Sequence, residues 1–294
     1  MTVQAEPLAA KAAPAENPAI AAASASVQAA LRRRHAFIIF LRIAILVVVL
    51  GGWELGTETG FIDPFFFASP SGIADQIWVW ITEGTSQGPL WEQIVVTLEE
   101  TILGFFIGAV GGVACGIILG RNKLLAEVFS VYIKVANSIP RVVLGSIFII
   151  ALGLGMASKV ALAVVMVFFV VFANAFQGVR EADRALIANA QILGASPFQI
   201  TRTVIVPSAM SWILASLHVS FGFALVGAVV GEFLGAKKGV GLLISTAQGA
   251  FNANGVFAAM VILAVLALIV EYIITLVENR LVKWRPAPLN EQHA

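Results

Sequence analysis

The chain has 294 residues, 59% of them hydrophobic and 12% charged. A soluble domain is about 45–50% apolar and about 25% charged, so this composition excludes a soluble globular protein and indicates an integral membrane protein. The formal net charge of +1 gives no electrostatic case for nucleic acid. The one cysteine, Cys115, supports neither an intrachain disulfide nor a structural zinc site.

Residues 1–30 are rich in Ala, Pro, Ser and Glu and have no large apolar face. With the Arg32-Arg33-Arg34 run they read as a disordered cytoplasmic tail over 1–35. No A-x-A-like cleavage site follows the apolar run 36–50, only GGWELG, so that run reads as an uncleaved first membrane helix. Six stretches are long and apolar enough to cross a bilayer: about 36–53, 93–119, 127–153, 159–178, 205–234 and 256–281. They are too long and too unalternating for barrel strands. The expected fold is therefore all-α, with six transmembrane helices in a domain over 36–285 and a short cytoplasmic tail at 286–294.

Between the first two spans, FASPSG at 67–72 offers serine caps and a proline at a helix start. Ile73, Ile77, Trp80 and Ile81 then share one helical face, opposite Asp75 and Gln76, which predicts an amphipathic helix in the outer interface. Trp53, Trp78, Trp80 and Trp91 fall at the same level as an aromatic belt, and Trp284 marks the inner interface. Gly104, Gly108, Gly112, Gly116 and Gly120 recur every four residues in the second span, and Gly227, Gly231, Gly235 and Gly239 do so in the fifth. Such stripes let helix backbones approach closely; they predict tight packing within the chain ahead of a purely inter-subunit role.

Lys and Arg near the span ends set the orientation. With the N-terminus inside, the inner segments carry Arg32, Arg33, Arg34, Arg121, Lys123, Arg180, Arg184, Arg202, Arg280, Lys283 and Arg285, and the outer ones only Lys159, Lys237 and Lys238. Both termini are then expected in the cytoplasm. Ionisable groups inside spans face a cavity, a partner or an interface. Arg141, after Ile139-Pro140, reads either as a cation lining a cavity or as a partner for a carboxylate or for carbonyls freed by Pro140. Glu232 reads either as an outer gate contact or as a pair for Lys237 or Lys238. His218 reads as a hydrogen-bonded packing residue ahead of a sensor or ligand.

The inner segment 181–204 is too polar to span and too patterned for a plain loop. EADRALIANAQIL favours a helix over 181–193 with Ala182, Leu186, Ala190 and Leu193 on one side. Gly194 stops it, because glycine readily takes the left-handed C-terminal cap. Ser196 and Pro197 then open a second short helix as N-cap and first residue, and Pro207 follows near the start of the fifth span.

This segment resembles the EAA loop of ATP-binding-cassette (ABC) importer permeases, in which EAA, three residues, Gly and nine residues precede Ile-x-Leu-Pro. Gly194 is matched by Val204, Val206 and Pro207; the triplet falls on Ala188, Asn189 and Ala190, so the family's Glu is absent. The resemblance extends over most of 65–286 and is nearest the nitrate/sulfonate/bicarbonate/taurine branch, through ASPSG at 68–72, IPRVVLGSIFIIALGLGMASKVAL at 139–162, ILGAS at 192–196, VGEFLGAKKGVGLLI at 230–244 and LVENRLVKWRP at 276–286. Several members of that branch have Pro where Ser146 stands and an Arg near Glu99 or Glu100.

The resemblance implies a type I ABC importer permease in a bacterial inner membrane. It also implies a homodimer embedded in lipid, two ATPase subunits that carry the ATP and Mg, an external solute-binding protein, and no cofactor on this chain. Its coupling loop would place Arg184, Ala188, Ala190, Gln191, Gly194, Ser196, Phe198, Gln199, Arg202 and Pro207 at or near the ATPase. Arg141, Ser146, His218 and Glu232 are the candidate pathway residues. The branch implies a small, anionic solute, with a thiamine-precursor pyrimidine or another heterocycle as the alternative. No G-x-x-x-x-G-K-[ST] or H-E-x-x-H occurs, so the chain is expected to perform no chemistry. A stand-alone secondary carrier, the competing reading, calls for an internal repeat, and none is evident.

Overall fold

The computed structural model describes residues 18–281, and they are almost wholly helical, with no β-strand among the described residues beyond an isolated Thr85–Gly88 bridge. In chain order the helices are α1 (Pro18–Glu58), α2 (Pro64–Phe67), α3 (Pro70–Thr82), α4 (Leu90–Arg121), α5 (Lys123–Ser138), α6 (Leu144–Leu152), α7 (Met156–Arg180), α8 (Arg184–Ile192), α9 (Pro197–Ile200), α10 (Val206–Leu234), α11 (Val240–Gly249) and α12 (Ala253–Leu281).

Helix α1 begins at Pro18, inside the segment expected to be disordered. Its first third, AIAAASASVQAAL, is rich in alanine, the strongest helix former. The first 17 residues of that segment, and the tail at 286–294 with Trp284, lie outside the described residues. From Leu31 to Glu58 the helix is long and apolar enough to span, and side chains such as Phe40 and Val48 are exposed, as a lipid-facing helix requires. The chain divides into two compact units near Leu55, and the helices from α2 onward are described as one.

Three helices form the core of that unit. α7 is packed between α4 and α10, and the glycine stripes explain the closeness of the packing. A Cβ at Gly108, Gly112 or Gly116 of α4 would stand 2.8–2.9 Å from the carbonyl oxygen of Val164, Phe168 or Phe172 of α7. On the other side of α7, a Cβ at Gly227 would stand 2.6 Å from the Ala163 Cα, and one at Gly231 would stand 3.0 Å from the Lys159 Cγ. The stripes are thus intrachain packing surfaces, and Ala109, Val167, Val171 and Ala224 fill the space between them. The second stripe is shorter than expected, because α10 ends at Leu234 and Gly235 and Gly239 belong to the following turn.

The third expected span is broken. Ile139 is extended, as a residue before proline must be, and Pro140 supplies no N–H to continue the helix. A 3-10 turn at Arg141–Val143 then leads into α6, and the chain bends by 74°. The described residues therefore hold five full spans and one bent pair.

The amphipathic helix expected after residue 68 is α3. Ser69 caps it by accepting from Gly72 N at 3.1 Å, with Pro70 in its first turn. It lies against the start of α12, where Asn252 Nδ2 donates to Gln76 Oε1 at 3.0 Å. Ile73 and Trp80 are buried, but Ile81 is 62% exposed. Eight residues from Ile73 is roughly an 80° rotation, enough to carry Ile81 off the covered face.

Candidate functional site

Two places in the structure collect the residues singled out by sequence. The first is an elbow at the end of the bundle that carries Arg121 and Arg180. Asp183 opens α8 by accepting from Ala185 N at 2.7 Å. The helix closes with Gly194 N bonded to Gln191 O and Ala195 N to Ala190 O, each at 3.0 Å, and with Gly194 at φ 81°. This is a Schellman motif, which satisfies the last carbonyls through a left-handed residue. Two residues later Ser196 and Gln199 form a reciprocal capping box, with Ser196 N donating to Gln199 Oε1 at 2.7 Å and Gln199 N to Ser196 Oγ at 3.3 Å. Local hydrogen bonds close the corner at both helix ends, so the elbow is stiff by its own chemistry.

The second short helix of the elbow is not a separate element. From Pro197 to Leu234 the chain runs as one helix of 38 residues, passing through a π turn at Thr201–Ile205. Pro207 is the cause. It has no N–H for the Thr203 carbonyl, and its ring would strike that carbonyl in a regular helix. One extra residue in the turn relieves the clash, and Val206 N bonds back to Thr201 O, five residues away. Arg121 Nη2 donates to Pro197 O at 3.4 Å, which joins the end of α4 to the same corner. The elbow is thus continuous with a membrane-spanning helix.

Arg184, Ala188, Gln191, Gly194, Ser196, Phe198, Gln199, Arg202 and Pro207 are all exposed here, and Ala190 is half-buried. The expected apolar face of α8 is only partly covered. Ala182 is buried, but Leu193 is 86% exposed. The cause is an open groove of about 570 Å³ between α8 and the start of α10, lined by Leu186, Ala190, Leu193, Val204 and Pro207. Ile192, at 82% exposed, and Phe198, at 71%, complete an apolar knob that sequence reasoning placed only in part.

The second place is at the opposite end of the bundle. Glu232 is fully buried. It accepts from Thr97 Oγ1 and from Gly241 N, each at 2.7 Å. Val240 N donates to Thr97 Oγ1 at 2.9 Å, and Gly239 N to Gln93 Oε1 at 2.8 Å. Three side chains therefore cap the N-terminus of α11, where a carboxylate also favours the helix dipole. Gly239 sits at φ 121°, and a Cβ there would strike the Glu232 carboxylate. The buried Glu100 and Lys159 complete this clasp. Lys159 Nζ donates to Leu154 O at 2.8 Å.

The pairing of Glu232 with Lys237 or Lys238 is not formed: Lys238 Nζ meets Glu92 Oε2 at 2.6 Å, while Glu232 points inward to the α11 terminus. Gln93, Thr97 and Lys159 were missed as members of the site. Polar residues at 93, 97, 100 and 101 share one face of an otherwise apolar helix, and that spacing was the available signal.

The remaining candidates are dispersed. The Arg141 guanidinium lies 5.0 Å from the centre of the Phe169 ring, a cation–π contact on α7. Ser146 is exposed on α6. His218 Nε2 meets Glu271 Oε1 of α12 at 2.9 Å, the hydrogen-bonded arrangement expected of it.

Known proteins resemble this chain over most of its length. The chain is similar to the riboflavin transport system permease protein RibX of Chloroflexus aurantiacus, at 29% identity over 81% of this chain and 88% of that one. It is likewise similar to the putative aliphatic sulfonates transport permease protein SsuC of Bacillus subtilis, at 29% identity over 81% and 85%. The taurine transport system permease protein TauC of Escherichia coli is 26% identical over 83% and 89%. Among solved structures, an inward-facing conformation of the MetNI methionine ABC transporter superposes with a TM-score of 0.57 at 22% identity, covering 66% of this chain and 94% of that one, a likeness of fold. Residues 112–283 match the family described as the binding-protein-dependent transport system inner membrane component. That segment holds the whole elbow, the π turn and α10, and the chain belongs to that family of membrane permeases of ABC transporters.

Proposed function

We propose that the chain works as a lever between a nucleotide-driven engine and a solute pathway. It is the permease subunit of an ABC importer, a multi-pass inner-membrane protein whose family works with an ATPase and a solute-binding protein. In the proposed arrangement both termini and the elbow face the cytoplasm, two copies of the chain form a homodimer, and each elbow seats in one of two ATPase subunits. ATP and Mg²⁺ are bound on those subunits. The external binding protein delivers solute at the opposite end, beside the clasp.

One observation carries this reading: the elbow is closed at both helix ends by local hydrogen bonds and runs without a break into α10. A push on Ile192, Leu193 and Phe198 therefore moves a membrane-spanning helix instead of being absorbed in a loop. ATP binding that favours one arrangement of the ATPase pair shifts the permease between two states.

The relatives named for sulfonates and taurine support a small sulfonate or similar anionic solute, including nitrate, bicarbonate or an organic acid. The relatives named for riboflavin and formylaminopyrimidine support a heterocycle as the second reading. The coupling role is tested by Gly194→Val in the permease–ATPase complex. At φ 81° a β-branched residue is strained although open space surrounds it. Uptake is expected to fall at least about tenfold relative to ATP hydrolysis while the protein remains in the membrane. Unchanged uptake per ATP would count against the lever.

A further inference from the structure

The packing of α7 on α10 sets a depth scale for the side chains. Gly231 meets Lys159, Gly227 meets Ala163, and Gly178 meets Ala209. The two helices are antiparallel, and Phe169 falls level with residues 218–222. Arg141, over Phe169, and the His218–Glu271 pair therefore share one level. Along α10, His218 is roughly 21 Å from Glu232 in the clasp and roughly 14 Å from Ala209, near the arginine end. In a hydrocarbon core about 30 Å thick this is close to the middle.

Ion-forming side chains at that depth are costly against lipid. Glu271 is nevertheless 62% exposed and His218 31%. Beside them a small cavity of about 30 Å³ is lined by Phe221, Gly222, Ala267 and Ile274, and a Cβ at Gly222 would meet nothing within 4 Å. The indentation is mostly apolar, has room for about one water, and is edged by the two ionisable side chains, so it can seat a small charged head group beside Glu271.

Resting on the importer reading above, we infer that the His218–Glu271 pair is a solute-contact site at the middle of the pathway and that its carboxylate recognises a protonated amine on the solute. Glu271 repels a bare oxyanion and attracts an ammonium group, while the His218 ring holds the carboxylate in place from α10. The solute class that follows is zwitterionic: a small amine-bearing acid such as an aminosulfonate.

The test reads the site through charged thiol reagents, so it does not depend on the identity of the solute. In the assembled permease–ATPase complex, with Cys115→Ser, His218→Cys is exposed to thiosulfonate reagents bearing an ammonium or a sulfonate head, each rate being taken relative to its rate with a free thiol. The site predicts reaction in at least one of the nucleotide-free and ATP-trapped states. It also predicts at least about a tenfold preference for the ammonium reagent, abolished by Glu271→Gln. No reaction in either state places the pair against lipid or a second copy and overturns the proposal, as does a preference that Glu271→Gln leaves unchanged. Gly222→Cys, which keeps both partners, gives the same readout if His218→Cys does not assemble. Failure of the ATPase to assemble with the unsubstituted chain would sink the importer reading instead, a result separate from any reactivity at position 218.

Discussion

Glu232 is the residue on which the clasp depends. A carboxylate with no exposure is tolerated because a hydroxyl, a backbone N–H at a helix terminus and a nearby lysine meet it. Removing one member of such a set leaves the others buried and uncompensated. Glu232→Ala is expected to destabilise the chain by about 3–5 kcal/mol, seen as a lower unfolding midpoint in detergent. Glu232→Gln, which keeps the shape and one acceptor, should cost clearly less. Equal midpoints for Glu232→Ala and the parent would show that the clasp holds nothing. Sequence alone identified Glu232 but left it between an outer gate contact and a pair with Lys237 or Lys238, and the lysine pair is not formed. Proximity in the chain favoured Lys237 and Lys238, whereas the true neighbours, Thr97 and Gly241, depend on how the turn after α10 folds back.

Helices and turns were far more legible than their partners, because their signals are local. Ser69-Pro70 opens α3, Ser196-Pro197 opens α9, and Gly194 closes α8, each as the residue types dictate. Two features were not legible. Ile139-Pro140 marked a distortion of the third span, but the sequence did not show that it amounts to a full break with a 74° bend, and the π turn arises from a competition between Pro207 and the Thr203 carbonyl that no periodicity reports. The glycine stripe gives a prediction at this scale, because neighbouring glycines face different surroundings. Gly112→Ala brings a Cβ to 2.9 Å from the Phe168 carbonyl oxygen, whereas at Gly111 the nearest atom is a Phe168 ring carbon at 3.5 Å. Gly112→Ala should cost about 1–3 kcal/mol through forced separation of α4 and α7. Gly111→Ala should be neutral or slightly stabilising, since alanine is the better helix former. Thermal unfolding of the two variants side by side checks the contrast.

At the scale of the whole molecule, the α4–α7–α10 core connects two ends of different character. One end carries a stiff apolar knob; the other carries a polar clasp closed by the turn after α10. Helix α10 belongs to both, so displacement of the knob reaches the clasp through one continuous element. Composition and span lengths were enough to find the membrane class, and the Gly194-to-Pro207 spacing with the motifs around it carried the resemblance to the family. They could not reveal that Ile192 and Leu193 stand uncovered, because exposure depends on the gap between α8 and α10. The most direct test of the lever is proximity at the knob. With Cys115→Ser as background, Leu193→Cys in the membrane-embedded complex should cross-link to the ATPase subunit, with an efficiency that changes between nucleotide-free and ATP-trapped states. Ile150→Cys, equally exposed but on α6, should give no such product. Absence of the cross-link at position 193 in both states, or labelling of that position by an impermeant reagent from the external side, would contradict the account.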